Sequence, residues 1–540
     1  MKKYSKILLP LALAGITFTA CKKSYLDENP PSSYTPISIA DSLGFQAALV
    51  GLYQDYSFQL TYSGRQGWLS VWQVGTDVAN ATNNQEGVEV PYYNYATLTS
   101  TDAAASYMWT RQYVQINAAN NIIKAAEAAD LSIISAVGKA KILAEAKFFR
   151  ARAYNALATL YGAVPLLLEP ISAPRTDYTR TALPEVNAAI EADLLAAIAS
   201  LQDPGTGTTG GRVSKYAAMQ QLTEAYLRMG KNAEAEAQAK AIISSGKFSL
   251  VKARYGVHAG LPGDYYNDMF WWGNQRRSQG NTETIWTLEQ QNPTDLAGGN
   301  TDNCQLRRVW GAAYHNIKGM KITDTTGGRA LGRLRLSNWV LYNLYQDGDI
   351  RNSEWNIRRR YTYNDPSQAA TYGKPVPYNS SDTLFNICPH TTKWYQFDSR
   401  DEFGYAMIKD FTLMRLGETY LLLAEALVKQ GKTQEAADAI NVLRERAFGA
   451  NYPAQGKVLA SQLTLDFVLD ERARELVGEE NRRMTLMRTG TLVDRATRLN
   501  SNDPSKPMTG ISKTNLLLPI PLSEIQLNKD AKLEQNPGYN

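Results

Sequence analysis

The feature that most constrains this chain is a short segment that occurs twice. Ala225-Tyr226-Leu227-Arg228-Met229-Gly230-Lys231 precedes an Ala-rich run from Ala233 to Ile243, and Ala426-Leu427-Val428-Lys429-Gln430-Gly431-Lys432 leads into Glu435 to Ala447. In both copies a glycine follows an apolar-periodic stretch, where it relieves the left-handed backbone that closes a helix. Small alanines on the next segment then let a second helix fold back closely. Each copy reads as a helix-turn-helix hairpin. One hairpin cannot bury its own apolar face, so hairpins of this kind must stack on neighbours.

Other stretches carry the same period. Trp109, Tyr113, Ile116 and Ile123 recur at helical spacing, as do Ile142, Ala146, Phe149, Ala153, Leu157 and Leu160. Leu413, Leu416, Tyr420, Leu423 and Leu427 share one face, with Arg415, Glu418, Glu425 and Lys429 opposite. Apolar stripes of this width pack inward and leave polar groups in water or paired. Further pairs are expected around 105–161 and 184–229. The pattern resembles tetratricopeptide-type repeats. From about Val251 to Asp410 the period fades into Gly, Asn, Asp and aromatic residues. Seven of the ten tryptophans lie there: Trp271, Trp272, Trp286, Trp310, Trp339, Trp355 and Trp394. The expected fold is mainly α, a tetratricopeptide-like helical-hairpin scaffold with an irregular, loop-rich aromatic subregion containing short strands. Loops on a rigid frame are where recognition residues sit.

The start of the chain reads as an export label. Lys2, Lys3 and Lys6 precede an apolar run from Ile7 to Phe18, then Thr19-Ala20-Cys21. A basic start, a short apolar core and small residues at a cut site are the layout of a secretory signal. The run falls short of the ~20 residues a spanning helix needs. Cys21 at the cut site points to a lipid anchor, although Phe18 stands where lipoprotein signals usually carry Leu. Residues 1–20 are thus expected to be a signal peptide and 21–42 a polar tether with Pro30, Pro31 and Pro36. Residues 43–250 and 411–540 form the N- and C-terminal helical regions, with the aromatic subregion at 251–410 between them. The net charge of +5, less those three lysines, is +2, which gives no reason to propose nucleic acid as a partner. Beyond Cys21 only Cys304 and Cys388 remain. They could pair in an oxidising compartment but do not make a metal motif.

Familiar catalytic patterns fail on context. Gly205-Thr206-Gly207-Thr208-Thr209-Gly210 matches GxGxxG as a string, yet it follows Asp203-Pro204 and an Ala-rich helix, which makes it a linker. Gly431-Lys432-Thr433 sits in a helical hairpin. There is no HExxH and no GxSxG, and His258, His315 and His390 are far apart in sequence. Asp347-Gly348-Asp349 lacks the ligand spacing of an EF-hand loop and reads as a turn. Glu471, Arg472, Arg474, Glu475, Glu479, Glu480, Arg482 and Arg483 have the spacing of helix-surface ion pairs. No catalytic residue, metal ligand or cofactor is assigned. A glycosidase needs only two carboxylates, for which the sequence offers no positive signal.

Binding chemistry is better represented. A neutral polyhydroxylated ligand requires apolar platforms and directional hydrogen bonds. Two stretches supply both: Arg65, Trp68, Trp72, Asp77 and Asn80, and then Trp271, Trp272, Asn274 and Arg276. Adjacent tryptophans point to different sides of either helix or strand, so one of Trp271 and Trp272 is expected to be the more exposed. Trp109 and Trp286 sit in apolar patterns and are assigned to the core.

Six strings in order carry a family resemblance. Lys23-Ser24-Tyr25-Leu26-Asp27 follows the cysteine. Ala144-Glu145-Ala146-Lys147-Phe148-Phe149-Arg150-Ala151 leads to Leu160-Tyr161-Gly162-Ala163-Val164-Pro165-Leu166. Arg415-Leu416-Gly417-Glu418-Thr419-Tyr420-Leu421 continues to Ala424-Glu425-Ala426. Asn441-Val442-Leu443-Arg444-Glu445-Arg446-Ala447, Glu471-Arg472-Ala473-Arg474-Glu475-Leu476 and the closing Leu518-Pro519-Ile520-Pro521 with Gln535-Asn536-Pro537-Gly538-Tyr539 complete it. In these strings the chain resembles the SusD/RagB outer-membrane nutrient-binding lipoproteins. The resemblance implies a cell-surface location and a SusC-like TonB-dependent transporter as partner. It implies capture and hand-over of an oligosaccharide, or in some members a peptide. Its motifs are scaffold and transfer no ligand site. The competing readings are a tetratricopeptide scaffold for protein partners and a surface glycoside hydrolase.

Overall fold

A computed structural model of the chain describes residues 41–61, 67–205, 210–291, 305–396 and 407–540. The signal, Cys21, most of the tether, Arg65 and Cys304 therefore lie outside the described residues, as do 206–209 of the glycine-rich string.

The scaffold is a row of helices. It comprises α1 (Ser42–Thr61), α2 (Ala103–Ala128), α3 (Ala136–Tyr161), α4 (Leu183–Ser200), α5 (Lys215–Met229), α6 (Asn232–Ser244), α7 (Leu416–Lys429), α8 (Thr433–Phe448) and α9 (Leu465–Leu476). Their starts are chemically marked. Asp102, Ser135, Ser214 and Thr464 each accept a hydrogen bond from the first-turn backbone of the helix they precede, as good N-caps do. From α2 to α8 each helix packs on the next. That includes α6 and α7, between which the whole aromatic subregion is inserted in sequence. The repeat stack is thus spatially continuous although the chain leaves it and returns.

The two repeated segments form the same turn. Gly230 and Gly431 both have positive φ, at 78° and 75°. In each case the following lysine donates its backbone N–H to a carbonyl one turn back, Lys231 to Tyr226 and Lys432 to Leu427, both at 2.9 Å. Ala239, Ala424, Ala436 and Ala437 are buried together with Leu421, Leu427 and Ile440. The close approach of α6, α7 and α8 depends on those small side chains.

Among the described residues three two-stranded antiparallel ladders form: β1 (Ala79–Ala81) with β3 (Leu334–Leu336), β2 (Thr284–Leu288) with β6 (Phe411–Arg415), and β4 (Ile357–Arg358) with β5 (His390–Thr391). β6 runs straight into α7. Trp286, on β2, is buried against Tyr56 of α1 in a stacked pair at 5.6 Å and against Phe148 of α3 at 5.3 Å. Trp286 is thus one tie between the subregion and the helices, alongside the Tyr266 hydroxyl, which donates to the Glu475 carbonyl at 2.5 Å. Trp109 and Trp286 are both core residues, as expected.

The acidic-basic cluster differs from expectation. Its charges lie inside the fold rather than on a helix surface; they are ion-paired except for Arg483, which donates to the Val74 and Tyr92 carbonyls and to the Tyr95 hydroxyl. Glu475 accepts from Arg415 at 2.6 Å and from Arg351 at 3.0 Å, and also from Arg446. Glu471 is held by Arg351, Arg444 and Arg474 at 2.8–2.9 Å. Arg415, at the end of β6, and Glu425 of α7 are likewise buried and paired rather than solvated. Asp349 closes a turn by accepting from Arg351 at 2.7 Å. Breaking one member of such a network strands the others in low dielectric. Cys388 is a free, buried thiol.

The closing stretch of chain returns to the first hairpins. Leu518 donates its N–H to Leu160 at 2.7 Å, and Asn536 bridges the Tyr161 carbonyl and the Arg180 guanidinium at 3.0 and 2.7 Å. Among the described residues no helix is long and apolar enough to cross a membrane.

Candidate functional site

The two aromatic stretches have different fates. In the first, Asp77 is buried and serves the scaffold. Its carboxylate accepts from Arg482 Nε and Nη2 at 2.8 and 2.6 Å and from Arg495 Nε at 2.7 Å. Burial alone would raise its pKa, but the two guanidinium groups overcome that and hold it at about 2. Asn80 is equally buried, and its side-chain oxygen accepts from Asn500 at 2.8 Å. Trp68 lies against Tyr107, ring centres 4.8 Å apart, and Trp72 meets Tyr92 edge-on at 6.1 Å while bordering an interior cavity. Asp77 and Asn80 are thus corrected from ligand contacts to internal braces: every polar group they could offer is spent within the fold.

The second stretch builds a surface. Asp264 caps a short turn at Tyr265–Asp268 by accepting from Asn267 N at 2.8 Å. Asn267 accepts from Trp271 Nε1 at 2.7 Å and donates to the Trp355 carbonyl at 2.8 Å, which fixes the Trp271 ring. That ring lies on His258 with centres 4.1 Å apart. Asn274 is buried and works as a clamp, accepting from Val257 N at 2.8 Å and donating to Asp268 O at 3.0 Å. Gly256, at φ +75°, passes so close to the Asn274 amide that no Cβ fits there. Arg254 ties the rest of the loop by donating to the carbonyls of His258, Leu261 and Gly263. Arg276 is drawn back by Asp410, at 2.7 and 3.0 Å, and by Glu289 at 3.2 Å. The hydrogen bonds to Asp410 raise its pKa further.

What remains open is an apolar face with polar support beneath it. Trp272 is 44% exposed, and on the clamped loop Val257, next to Gly273, is 60% exposed and Leu261 55%. As the adjacent-tryptophan argument requires, Trp272 is the more exposed of the pair, and Trp271 is its half-buried footing. Asn274 and Arg276 are corrected in role: they hold the backbone and have little left to offer a ligand.

Sequence reasoning missed further exposed aromatics of the subregion, among them Tyr342 at 71% and Tyr378 at 48%. Arg360 sits over the Tyr378 ring at 5.9 Å. Arg359 lies nearby and donates to Leu341 O and to Asn352. The available signal was local. In Val340-Leu341-Tyr342-Asn343-Leu344 the aliphatic residues are buried and the tyrosine points out. Flat rings beside guanidinium groups are the chemistry that stacks on a sugar face and donates to its hydroxyls.

The sequence profile of the SusD family matches residues 273–539, and a profile described as "Starch-binding associating with outer membrane" matches residues 24–227. Over 525 residues the chain is 26% identical to SusD-like protein P25 of Formosa agariphila, covering 94% of each. Among solved structures it is similar to a laminarin-binding SusD-like protein (TM-score 0.69, 21% identity, 94% of this chain and 100% of that one). It is similar also to surface glycan-binding protein A from Bacteroides fluxus (TM-score 0.70, 19% identity, 93% of this chain and 100% of that one). With two such profiles in order along most of its length and this fold throughout, the chain belongs to the SusD family.

Proposed function

We propose that this chain is a non-catalytic glycan-binding lipoprotein of the outer membrane. On this reading it captures an oligosaccharide on the exposed aromatic faces of residues 251–410 and passes it to a SusC-like TonB-dependent transporter. Cys21 is the lipid anchor, and the chain is presented at the cell surface. The observation that carries the binding role is Trp272. A large apolar ring left in solvent costs roughly 1.5–3 kcal/mol relative to burial, yet the surrounding turn is clamped by Asn274, Arg254 and Asn267 to keep it there. The relatives named for starch, laminarin and surface glycans support a sugar as the ligand.

The test is a glycan array probed with the purified chain, with laminarin and starch included, followed by calorimetry on any hit. Saturable binding that weakens in Trp272→Ala, Tyr342→Ala or Tyr378→Ala is the expected result. Hydrolysis of the bound glycan by the purified protein, or full affinity in all three folded variants, would overturn it. Anchoring is tested separately: Cys21→Ser should abolish incorporation of labelled fatty acid and release the protein from the membrane fraction.

A further inference from the structure

The helices and the aromatic subregion do not close completely on one another. Between α1, α2, β2, β6 and the turn before Arg482 they leave a cavity of about 260 Å³. A single water needs only ~10–15 Å³, so the space is many times that. Its walls carry Tyr56, Trp72, Trp286, Trp310 and Trp394. Trp272, Tyr342 and Tyr378 do not border it.

The polar wall atoms are incompletely used. Gln112 donates from Nε2 to Gln59 Oε1 at 2.9 Å. That leaves Gln112 Oε1 and Gln59 Nε2, an acceptor and a donor, without protein partners among the described residues. Gln73 donates to the Glu480 carbonyl, while its own Oε1 is unpaired. Thr412 Oγ1 and Arg472 Nη1 are unpaired too. Each such buried group costs about 1–3 kcal/mol when nothing meets it. The fold therefore carries a mixed set of donors and acceptors around an aromatic-walled space.

Carboxylates outnumber cations in the wall. Arg415 is held by Glu283, Glu475 and Glu479, and Arg472 by Glu418 and Glu480. Arg152, which donates to the Tyr56 hydroxyl, is the wall cation outside an ion pair among the described residues, and an anion entering beside it would also face Glu224, Glu418, Glu479 and Glu480. A neutral ligand meets no such penalty. Hydroxyl groups both donate and accept, which suits a mixed set, and the C–H face of a sugar ring suits an aromatic wall.

We infer that this cavity is a second, interior site for one neutral sugar unit, distinct from the exposed aromatic face and independent of it. The test titrates glucose, galactose, mannose and xylose separately into the purified full chain, followed by calorimetry and by intrinsic tryptophan fluorescence. At least one should bind saturably and change the emission. Its affinity should fall about tenfold in Gln112→Leu and in Thr412→Val and be unchanged in Trp272→Ala. Thr412→Val conserves volume at a half-buried position, so it serves if Gln112→Leu fails to fold. Absence of binding by all the sugars at millimolar concentration would overturn the inference. So would binding that Trp272→Ala removes and Thr412→Val leaves intact, which would assign the sugar to the surface alone.

Discussion

Asp77→Asn separates bracing from binding at a residue whose sequence context suggests a ligand contact. The substitution keeps shape and volume but removes the charge that Arg482 and Arg495 share. Holding this carboxyl at about 2 instead of 3.8 corresponds to about 2 kcal/mol, at about 1.36 kcal/mol per unit. The amide adds a second loss, because its NH2 group faces guanidinium donors. Removing one partner of a buried ion pair typically costs about 3–5 kcal/mol. Arg482 keeps Glu480 at 3.0 Å and Arg495 keeps Asp470 at 2.6 Å, which places the expected loss at the lower end, about 3 kcal/mol. Urea unfolding followed by circular dichroism and by fluorescence reads this directly at neutral pH. The sign with pH is fixed as well. A depressed carboxyl stabilises the fold above the unfolded value of 3.8, and that share is lost as pH falls from there toward 2. The variant should lack that share of the acid sensitivity while binding glycan as the parent does. An unchanged unfolding midpoint, or a folded variant with weakened glycan affinity, would refute the assignment.

Trp272→Ala should reduce glycan affinity by tenfold or more, about 1.4 kcal/mol, measured by calorimetry, while changing stability by less than about 0.5 kcal/mol because the ring is exposed. Gly256→Ala combines a positive φ with a Cβ driven into the Asn274 amide. It should cost about 1–3 kcal/mol and raise hydrogen exchange across residues 254–274. His390 is buried between the Cys388 carbonyl and the Tyr395 hydroxyl at 2.9 and 3.0 Å, and burial lowers its pKa from 6.5 to about 4. The unfolded chain takes up that proton near 6.5 and the folded one only near 4, so stability should decline by about 3 kcal/mol across that interval. His390→Gln should flatten that decline in a pH series of urea melts.

The helical hairpins were legible because their determinants are local. Period, glycine and alanine all lie within a few residues of the turns at Gly230 and Gly431, and the two glycines share the same positive φ to within a few degrees. Asp77 was not legible, because its partner Arg482 lies 405 residues further along the chain. The spacing of Glu471 and Glu475 is the same whether a helix face meets water or protein. Burial is decided by Arg351, Arg415, Arg444 and Arg446 arriving from other elements. At the site, the Trp271-Trp272 pair could be read from geometry alone. The roles of Asn274 and Arg276 could not, since Asn274 is spent on the loop at Val257 and Arg276 on Asp410, 134 residues further along the chain. Tyr342 and Tyr378 escaped because tryptophan alone marked platforms in the sequence, although a tyrosine ring serves as well.

The return of residues 518–536 to the first hairpins has a consequence for the order in which the molecule can be assembled. The partners of Tyr161 and Arg180 lie 375 and 356 residues further along the chain, and Leu160 likewise meets Leu518. Asp77 likewise waits for Arg482 and Arg495. The helices of the first half can stack early, since those contacts are short in sequence, whereas these bonds close only once residues hundreds of positions later are present. Local order and long-range fixing are thus separate steps in a chain built this way.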